Sequence, residues 1–528
     1  MHIFRPPLSR REPAFLVALL VVTAAARLPA VYGQGISTDE AITLLETAGH
    51  ALPPWPKKPT PSGVSREIFR GTPGFGEIAR ELRGTDVHPP LYFWILTLWR
   101  RVFGYSIETA RLLSLLCSLG TMFVFYHLLR AESSELSGVG TMAYALAPGL
   151  ILSGTSARPY PLAMFLLSAA ALFAYRSSRA SGPGSVRGIS NSVGMAVCCG
   201  LAVHTNYLAL FSVAAILSWY LASVWRRRKL DAMLFPALAL SIAMIVVPTL
   251  SAQMGQRPDQ ETGFSGLGPE IKTLAKMTLM MTFLPDFSKD PVSYGTTVIF
   301  AALAALTVYE LWRSRRTADR GFWLLLSAIA AAPALGIMLL NPLFNKFLQA
   351  PRYLTLAGPA IVAFVSYPAA VGVSRGKFWG AFLLVAFLLF LTTRAFLNHA
   401  GQSNVRATAR AIRDSAGASQ ILILDEGWGR GGTGSIIYEL APVTSVVVLQ
   451  RGMSAEVLMS QIQGYDDVLL SVSFNPVTAS IREGLQGRLA GSDEYHALSW
   501  DPRTQNGGTW SGPILHFRRV EPKERRVR

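Results

Sequence analysis

Long apolar runs separated by short basic junctions make up most of this chain. Pro13 to Val31 is almost entirely apolar, close to the roughly 20 residues that a bilayer core requires. Further runs of this kind lie near 110–129, 137–156, 159–175, 189–204, 205–225, 230–250, 293–312, 321–340, 353–372 and 376–396. The stretch from Ile189 to Trp225 is about twice one span, so His204-Thr-Asn206-Tyr207 at its middle is predicted to be a turn. Pro90 to Phe103 is apolar and aromatic but only about 14 residues long, and it carries Arg100 and Arg101. That composition predicts a helix lying in the interface rather than spanning. With it set aside, the pattern predicts an α-helical polytopic membrane protein of eleven spans.

Between the first and second spans, Gly33 to Val87 is polar and holds Pro53-Pro54-Trp55-Pro56 with charges of both signs. It is expected to be ordered only where it lies on the membrane. After about Asn398 the pattern changes: Gln420-Ile-Leu-Ile-Leu, Ser445-Val-Val-Val-Leu and Asp467-Val-Leu-Leu-Ser read as buried strands, with amphipathic helix patterns between them. The expected organisation is a transmembrane domain over 1–397, including an outer loop at 32–109 with interfacial helices, followed by a small soluble α/β domain over 398–528.

Composition agrees with this reading, since only 15% of the 528 residues are charged and the mean hydropathy is +0.34; an ordinary soluble domain is roughly 25% charged. The net charge of +17 would otherwise suggest nucleic acid, but the Lys and Arg residues fall in clusters between apolar runs. Such clusters orient membrane helices, which excludes a nucleic-acid partner as the reason for the charge. Arg5, Arg10 and Arg11 put the N-terminus in the cytoplasm, and the large cluster Arg226 to Lys229 falls on the same side only if 90–103 does not span. The first run lacks a convincing cleavage site and reads as an uncleaved span. Cys117, Cys198 and Cys199 all lie in apolar runs, with neither disulfide nor metal-ligand spacing.

With this parity the segments of Asp39, His88, Arg158, His204 and Arg352 share the outer face. Ser37-Thr-Asp39-Glu40 fits a capping box, and acidic residues are favoured in a helix's first turn. The other reading is a carboxylate held where lipid meets water, placed to take a proton from an acceptor hydroxyl. Both stand for Glu40, and the second is favoured for Asp39. His88 before Pro89-Pro90 caps a helix in one reading and donates to a phosphate or sugar hydroxyl in the other. Arg158 before Pro-Tyr160 and Arg352 before Tyr353 either snorkel to the interface or hold an anionic ligand on a side where the orienting rule disfavours arginine. His204, Asn206 and Tyr207 are weaker substrate-contact candidates, with satisfaction of the turn as the alternative. Gly429-Arg-Gly431-Gly-Thr-Gly434 formally matches a dinucleotide pattern, but no acidic residue follows about 20 positions on, so a flexible βα turn is expected.

The order of these motifs is familiar: Asp39-Glu40 in the first outer loop, His88-Pro-Pro-Leu-Tyr, Phe-Gly-Tyr-Ser-Ile-Glu108-Thr-Ala-Arg111, Ala-Arg158-Pro-Tyr160, and Arg352-Tyr353-Leu before a late span. Over roughly residues 10–400 the chain resembles the GT-C glycosyltransferases, in particular the bacterial protein O-mannosyltransferase and aminoarabinose transferase branch. The resemblance implies inverting transfer of a sugar from a polyprenyl-phosphate carrier to an acceptor on the outer face of a bacterial inner membrane. Asp39 would match the catalytic acidic residue with Glu40 beside it, and His88, Arg158 and Arg352 would lie near the donor phosphate. Tyr160, His204, Asn206, Tyr207 and Tyr353 are then possible substrate contacts. The aromatic residue that often precedes the acidic pair is replaced here by Ser37-Thr38, which bears on the acceptor side.

In such transfer negative charge builds on the departing phosphate, so one base and fixed cations suffice. No cofactor is required, and a divalent cation shared by Asp39, Glu40 and His88 is the one addition left open. Protein, lipid and glycan acceptors would all present a hydroxyl. The rival reading is a transporter or flippase of lipid-linked sugars, against which stands the lack of paired interrupted segments in two halves of the sequence. A structural subunit built around the C-terminal domain leaves the ordered motifs unexplained.

Overall fold

The computed structural model describes residues 12–86, 88–180, 185–254, 266–283, 291–314, 318–344, 351–402, 404–415, 419–425, 429–471, 476–498 and 514–520. Arg5, Arg10 and Arg11 lie outside them. In chain order the helices are α1 (Glu12–Gly33), α2 (Thr38–Thr47), α3 (Ser62–Ser65), α4 (Phe75–Thr85), α5 (Leu91–Phe103), α6 (Ile107–Leu129), α7 (Ser134–Leu146), α8 (Pro148–Thr155), α9 (Tyr160–Ser178), α10 (Val186–Thr205), α11 (Ala209–Val224), α12 (Lys229–Met244) and α13 (Val247–Met254). There follow α14 (Leu267–Phe283), α15 (Pro291–Arg313), α16 (Arg320–Phe344), a 3-10 turn (Pro351–Ala357), α17 (Gly358–Ser374), α18 (Trp379–Gln402), α19 (Asn404–Ser415), α20 (Gly429–Glu439), α21 (Ala455–Ile462) and α22 (Pro476–Ala490). Contacts divide the chain into two compact units, one drawn from the stretches up to Tyr32, Leu82–Leu96 and Glu108–Phe396, the other from Gly33–Glu81, Thr97–Ile107 and the stretch from Leu397 onward.

The first unit is a multi-pass membrane bundle. Among the described residues eight helices are long and apolar enough to cross a bilayer, and ten crossings result when two bent pairs each count as one. The run expected to span 205–225 yields only the 16 residues of α11, because Asn206 and Tyr207 are spent on the preceding turn. α5 is not among the crossing helices. It buries Tyr92, Phe93 and Leu96 while Leu98, Val102 and Phe103 stay exposed, as an interfacial helix does.

Paired interrupted segments were not expected, yet two spans are bent. α7 and α8 meet at 64°, and α12 and α13 at 43°. Pro148 and Pro248 sit just past the breaks and lack the N–H that would continue the ladder. Carbonyls freed at such a break need donors, since an unsatisfied polar group in hydrocarbon is costly. At the first break Arg27, fully buried on α1, donates Nη1 to Ala145 O at 3.0 Å, Nη2 to Tyr144 O at 3.3 Å and Nε to Ser118 Oγ at 2.8 Å. Thr392 on α18 donates to the next carbonyl, Leu146 O, at 2.6 Å.

The second unit is built on a six-stranded sheet in the order β1 (Thr60–Pro61), β3 (Ser445–Leu449), β2 (Gln420–Asp425), β4 (Asp467–Ser471), β6 (Ile514–Arg519) and β5 (Tyr495–Leu498). β2 runs parallel to β3 and β4, and these three strands are buried along nearly their whole length. Continuous apolar runs are what strands covered on both faces require. The core joins Ile421, Ile423, Val447, Val468 and Leu470 to Leu458 and Leu485 of the covering helices.

β1 belongs to the loop that was expected to be ordered only by the membrane. It pairs antiparallel with β3, Thr60 opposite Val446, and Val448 N donates to Pro56 O at 2.8 Å. Ser62 Oγ donates to Ala441 O at 2.6 Å and Arg66 Nε to Ile437 O at 3.1 Å. The loop thus packs with the residues after 397, because its main-chain and side-chain donors are satisfied there. The glycine-rich run is also not a turn but the start of α20. A Cβ on Gly431 would come within 2.6 Å of Thr38 O, so the glycine lets α20 lie against the first turn of α2.

Candidate functional site

In the membrane unit the His88-Pro-Pro turn sits between α4 and α5, and its backbone is held from another element. Gln253 on α13 donates Nε2 to Leu82 O at 2.9 Å and to His88 O at 3.2 Å, and accepts from the Tyr207 hydroxyl at 2.7 Å. The bend between α12 and α13 is followed by the short helix that carries this residue. Gln253 is 4% exposed, and the sequence reading passed over it, because an amide in a polar stretch has no signature of its own.

The His88 ring is fixed as closely. Nδ1 lies 2.8 Å from Asp86 Oδ1, the two side chains being 7% and 8% exposed. Arg158, buried where α8 gives way to α9, places Nη2 at 3.4 and 3.5 Å from the two ring nitrogens. Near-equal distances to both nitrogens set the guanidinium against the ring instead of in line with either lone pair. Tyr160 stands edge-on to the ring at 6.3 Å between centroids. Asp86 and Tyr353 both act on the Tyr160 phenol electrostatically, which brings the 3-10 turn into the same neighbourhood. Arg352 precedes Tyr353 on that turn, with its guanidinium 5.9 Å from the Tyr353 ring.

The structure therefore gathers His88, Arg158, Tyr160 and Tyr353, and adds Asp86 and Gln253. Tyr207 joins through Gln253; burial pushes its phenol well above the usual range, and Asp86 adds to the rise. His204 and Asn206 have structural work. His204 Nε2 donates to Ile242 O at 2.8 Å, and Asn206 Oδ1 accepts from Leu208 N at 2.9 Å to close the turn.

Asp39 and Glu40 lie in the second unit, in the first turn of α2. Glu40 completes the capping box: its Oε2 accepts from Ser37 N at 3.0 Å and from Ser37 Oγ at 3.1 Å, while Glu40 N donates to Ser37 Oγ at 3.3 Å. It is 2% exposed, so its carboxylate serves the helix. Asp39 is half-buried beside it, at the end of α2 where backbone N–H groups favour the ionised form. The approach to α2 is tethered by Glu439, which accepts from Ile36 N at 2.9 Å and is held by Arg406 at 2.8 Å. Arg100 closes the far end of the helix, donating Nη1 to Leu44 O at 3.0 Å and Nη2 to Phe69 O. Among the described residues no three His, Cys, Asp or Glu side chains group closely enough to hold a metal ion.

Residues 87–251 match the family described as dolichyl-phosphate-mannose-protein mannosyltransferase. The fold is shared with ArnT from Cupriavidus metallidurans bound to undecaprenyl phosphate, at 12% identity and a TM-score of 0.55, covering 97% of this chain and 99% of that one. The apo state of the same ArnT gives 11% identity and a TM-score of 0.55, covering 96% and 97%. None of the curated proteins matches the sequence. The chain thus shares the fold of ArnT, and residues 87–251 are similar to the mannosyltransferase family.

Proposed function

We propose that this protein transfers a sugar from a polyprenyl-phosphate-linked donor to an acceptor hydroxyl on the extracytoplasmic face, with inversion and with Asp39 as general base. The observation that carries the reading is the buried meeting of His88 and Arg158 at the His-Pro-Pro turn. Two nitrogen-bearing side chains held out of bulk water suit an anionic phosphate, with which charge-assisted hydrogen bonds are strong. Arg352, on the turn beside Tyr353, adds a further cation for the same group.

In the proposed reaction Asp39 takes the acceptor's proton as the hydroxyl oxygen bonds to the anomeric carbon. The bond from that carbon to the phosphate oxygen breaks on the opposite face, and its electron pair leaves with the polyprenyl phosphate. Charge grows on the phosphate as the bond breaks, so cations fixed beside it lower the barrier. That ArnT binds undecaprenyl phosphate supports a carrier of this kind here. The acceptor is a protein, lipid or glycan hydroxyl. The placement is a bacterial inner membrane with the N-terminus cytoplasmic, α11 as a short eleventh span, and a small α/β domain after residue 397 outside.

The two bent helix pairs are what favours the rival reading, a transporter of lipid-linked sugars. At the first break, however, Arg27 and Thr392 take the freed carbonyls, which leaves those groups committed to the protein itself. The test is transfer from radiolabelled polyprenyl-phosphate sugars to an envelope fraction, comparing the wild type with Asp39→Asn. Transfer that the variant loses while it still binds donor supports the reading. If neither protein transfers label but both move lipid-linked sugar across proteoliposomes, the transporter reading replaces it.

A further inference from the structure

We infer that Glu439, clamped by Arg406, is a positioning residue for sugar transfer: by gripping the chain where it enters α2, the pair fixes where the Asp39 carboxylate stands. This rests on the reading of Asp39 as the general base. Neither composition nor motif order assigns Glu439 or Arg406 any part in the reaction, and 403 positions separate Glu439 from the amide it holds.

Gln34 to Ser37, between α1 and α2, belong to neither helix, so nothing regular holds this approach. Two successive main-chain amides in it are taken by carboxylates from different directions. Ser37 N donates to Glu40 Oε2 at 3.0 Å, a bond made within the cap of α2 itself. Ile36 N donates to Glu439 Oε1 at 2.9 Å, a bond that reaches the last residue of α20. Arg406 on α19 closes on the same carboxylate as a fork, Nε to Oε2 at 2.8 Å and Nη2 to Oε1 at 3.2 Å, and its Nη1 donates to Gly33 O at 3.4 Å. A bidentate pair fixes direction as well as distance, so the oxygen that meets Ile36 N is held in place. The approach is thereby gripped at Gly33 and at Ile36. Gly35 between them lets the backbone come this close, since a Cβ there would stand 3.0 Å from Arg406 Cβ and 3.5 Å from Glu439 Oε1.

Cap and tether act differently. Glu40 organises the first turn from within and moves with α2, whereas Glu439 ties that turn to a separate helix. That helix is itself anchored: Arg66 Nε donates to Ile437 O at 3.1 Å, and the Tyr438 hydroxyl accepts from Ile107 N at 2.8 Å. All of these residues belong to the second unit. Asp39 follows Ile36 by three residues, so a shift of the approach passes to the base. Misplacing a catalytic group by about 1 Å costs on the order of a hundredfold in rate.

The experiment is steady-state kinetics of the full-length protein in detergent, with whichever radiolabelled polyprenyl-phosphate sugar the wild type transfers to an envelope fraction, and a thermal midpoint for every variant. Glu439→Ala frees Ile36 N and is expected to lose about tenfold in kcat, with KM for the lipid donor within about twofold. Glu439→Gln keeps an oxygen that accepts from Ile36 N and should stay within about threefold of the wild-type kcat. Ser62→Ala, which loses its bond to Ala441 O in the same unit, should keep the wild-type kcat. On an Asp39→Asn background Glu439→Ala should cost nothing more, because positioning has no effect once the base is gone. A wild-type kcat in folded Glu439→Ala, an equal loss in Glu439→Gln or Ser62→Ala, or a full further loss on top of Asp39→Asn overturns the inference and leaves Asp39 standing as the base. A wild-type kcat in folded Asp39→Asn overturns the base reading, and the inference with it. If Glu439→Ala does not fold, Arg406→Lys carries the test: it keeps the charge, loses the fork and should lower kcat about threefold or more, and an unchanged kcat there overturns the inference.

Discussion

Arg100 donates Nη1 to the carbonyl of Leu44 at 3.0 Å, and so closes the end of α2 opposite the turn that carries Asp39. The same guanidinium reaches Thr47 and Phe69 O and lies over the Tyr105 ring at 5.4 Å. A cation at a helix C-terminus is favoured by the dipole, and here it also satisfies buried carbonyls. Arg100→Met is expected to destabilise the protein by about 1–3 kcal/mol, read as a lower thermal midpoint. Arg100→Lys should recover only part of that, because one ammonium cannot span the acceptors that the fork reaches. Full stability in the methionine variant would show that α2 is held otherwise.

Neighbouring carboxylates on α2 should separate in their effects. Glu40→Ala removes the reciprocal cap and should cost about 1 kcal/mol of stability, with a modest loss of transfer. Asp39→Asn should leave the thermal midpoint unchanged and lower kcat by a factor of about 100 or more, as loss of a general base does. Paired melting curves and initial rates decide it; equal losses of rate in the two variants would count against Asp39 as the base.

Gln253 should act on donor binding. Replacing it with Leu frees the carbonyls of Leu82 and His88 and the Tyr207 hydroxyl together, loosening the turn without touching either cation. The expected outcome is a roughly tenfold higher KM for the lipid donor with a smaller change in kcat. Steady-state kinetics over donor concentration would reveal a change confined to kcat, which would rule this role out.

Gly431 offers a steric test of how α20 supports α2. In Gly431→Val the new side chain would press on Thr38 and Ile42, which lie one and three residues from Asp39 on the chain. Overpacking of this kind costs about 1–3 kcal/mol. Transfer should fall further than stability does, as seen by comparing rate with thermal midpoint, whereas Gly464→Ala, where a Cβ meets nothing within 4 Å, should leave both intact.

Hydropathy made most of the bundle legible because a bilayer demands long apolar runs, and α6, α9 and α10 fall close to where those runs lie. It was blind to the bends, since Leu146-Ala147-Pro148 is apolar throughout and a direction change leaves hydropathy untouched. Arg158 and Arg352 stood out as cations on the side where the orienting rule disfavours them, and His88 by its place before Pro89-Pro90 and near Asp86. Gln253 did not stand out. The union of residues 53–66 with the C-terminal sheet was hidden for another reason. A two-residue strand ending in Pro61 carries no periodicity, and its partner Ser445 lies far along the chain.

The closure of the first break has a consequence for how the bundle is assembled. Arg27 enters the membrane on α1, before the carbonyls of Tyr144 and Ala145 that it serves have been synthesised, and Thr392 arrives only with α18. Until α7 comes alongside, the guanidinium lacks these two carbonyl acceptors. Completion of that corner of the bundle is then tied to the last of these helices, because the donor to Leu146 O comes from α18.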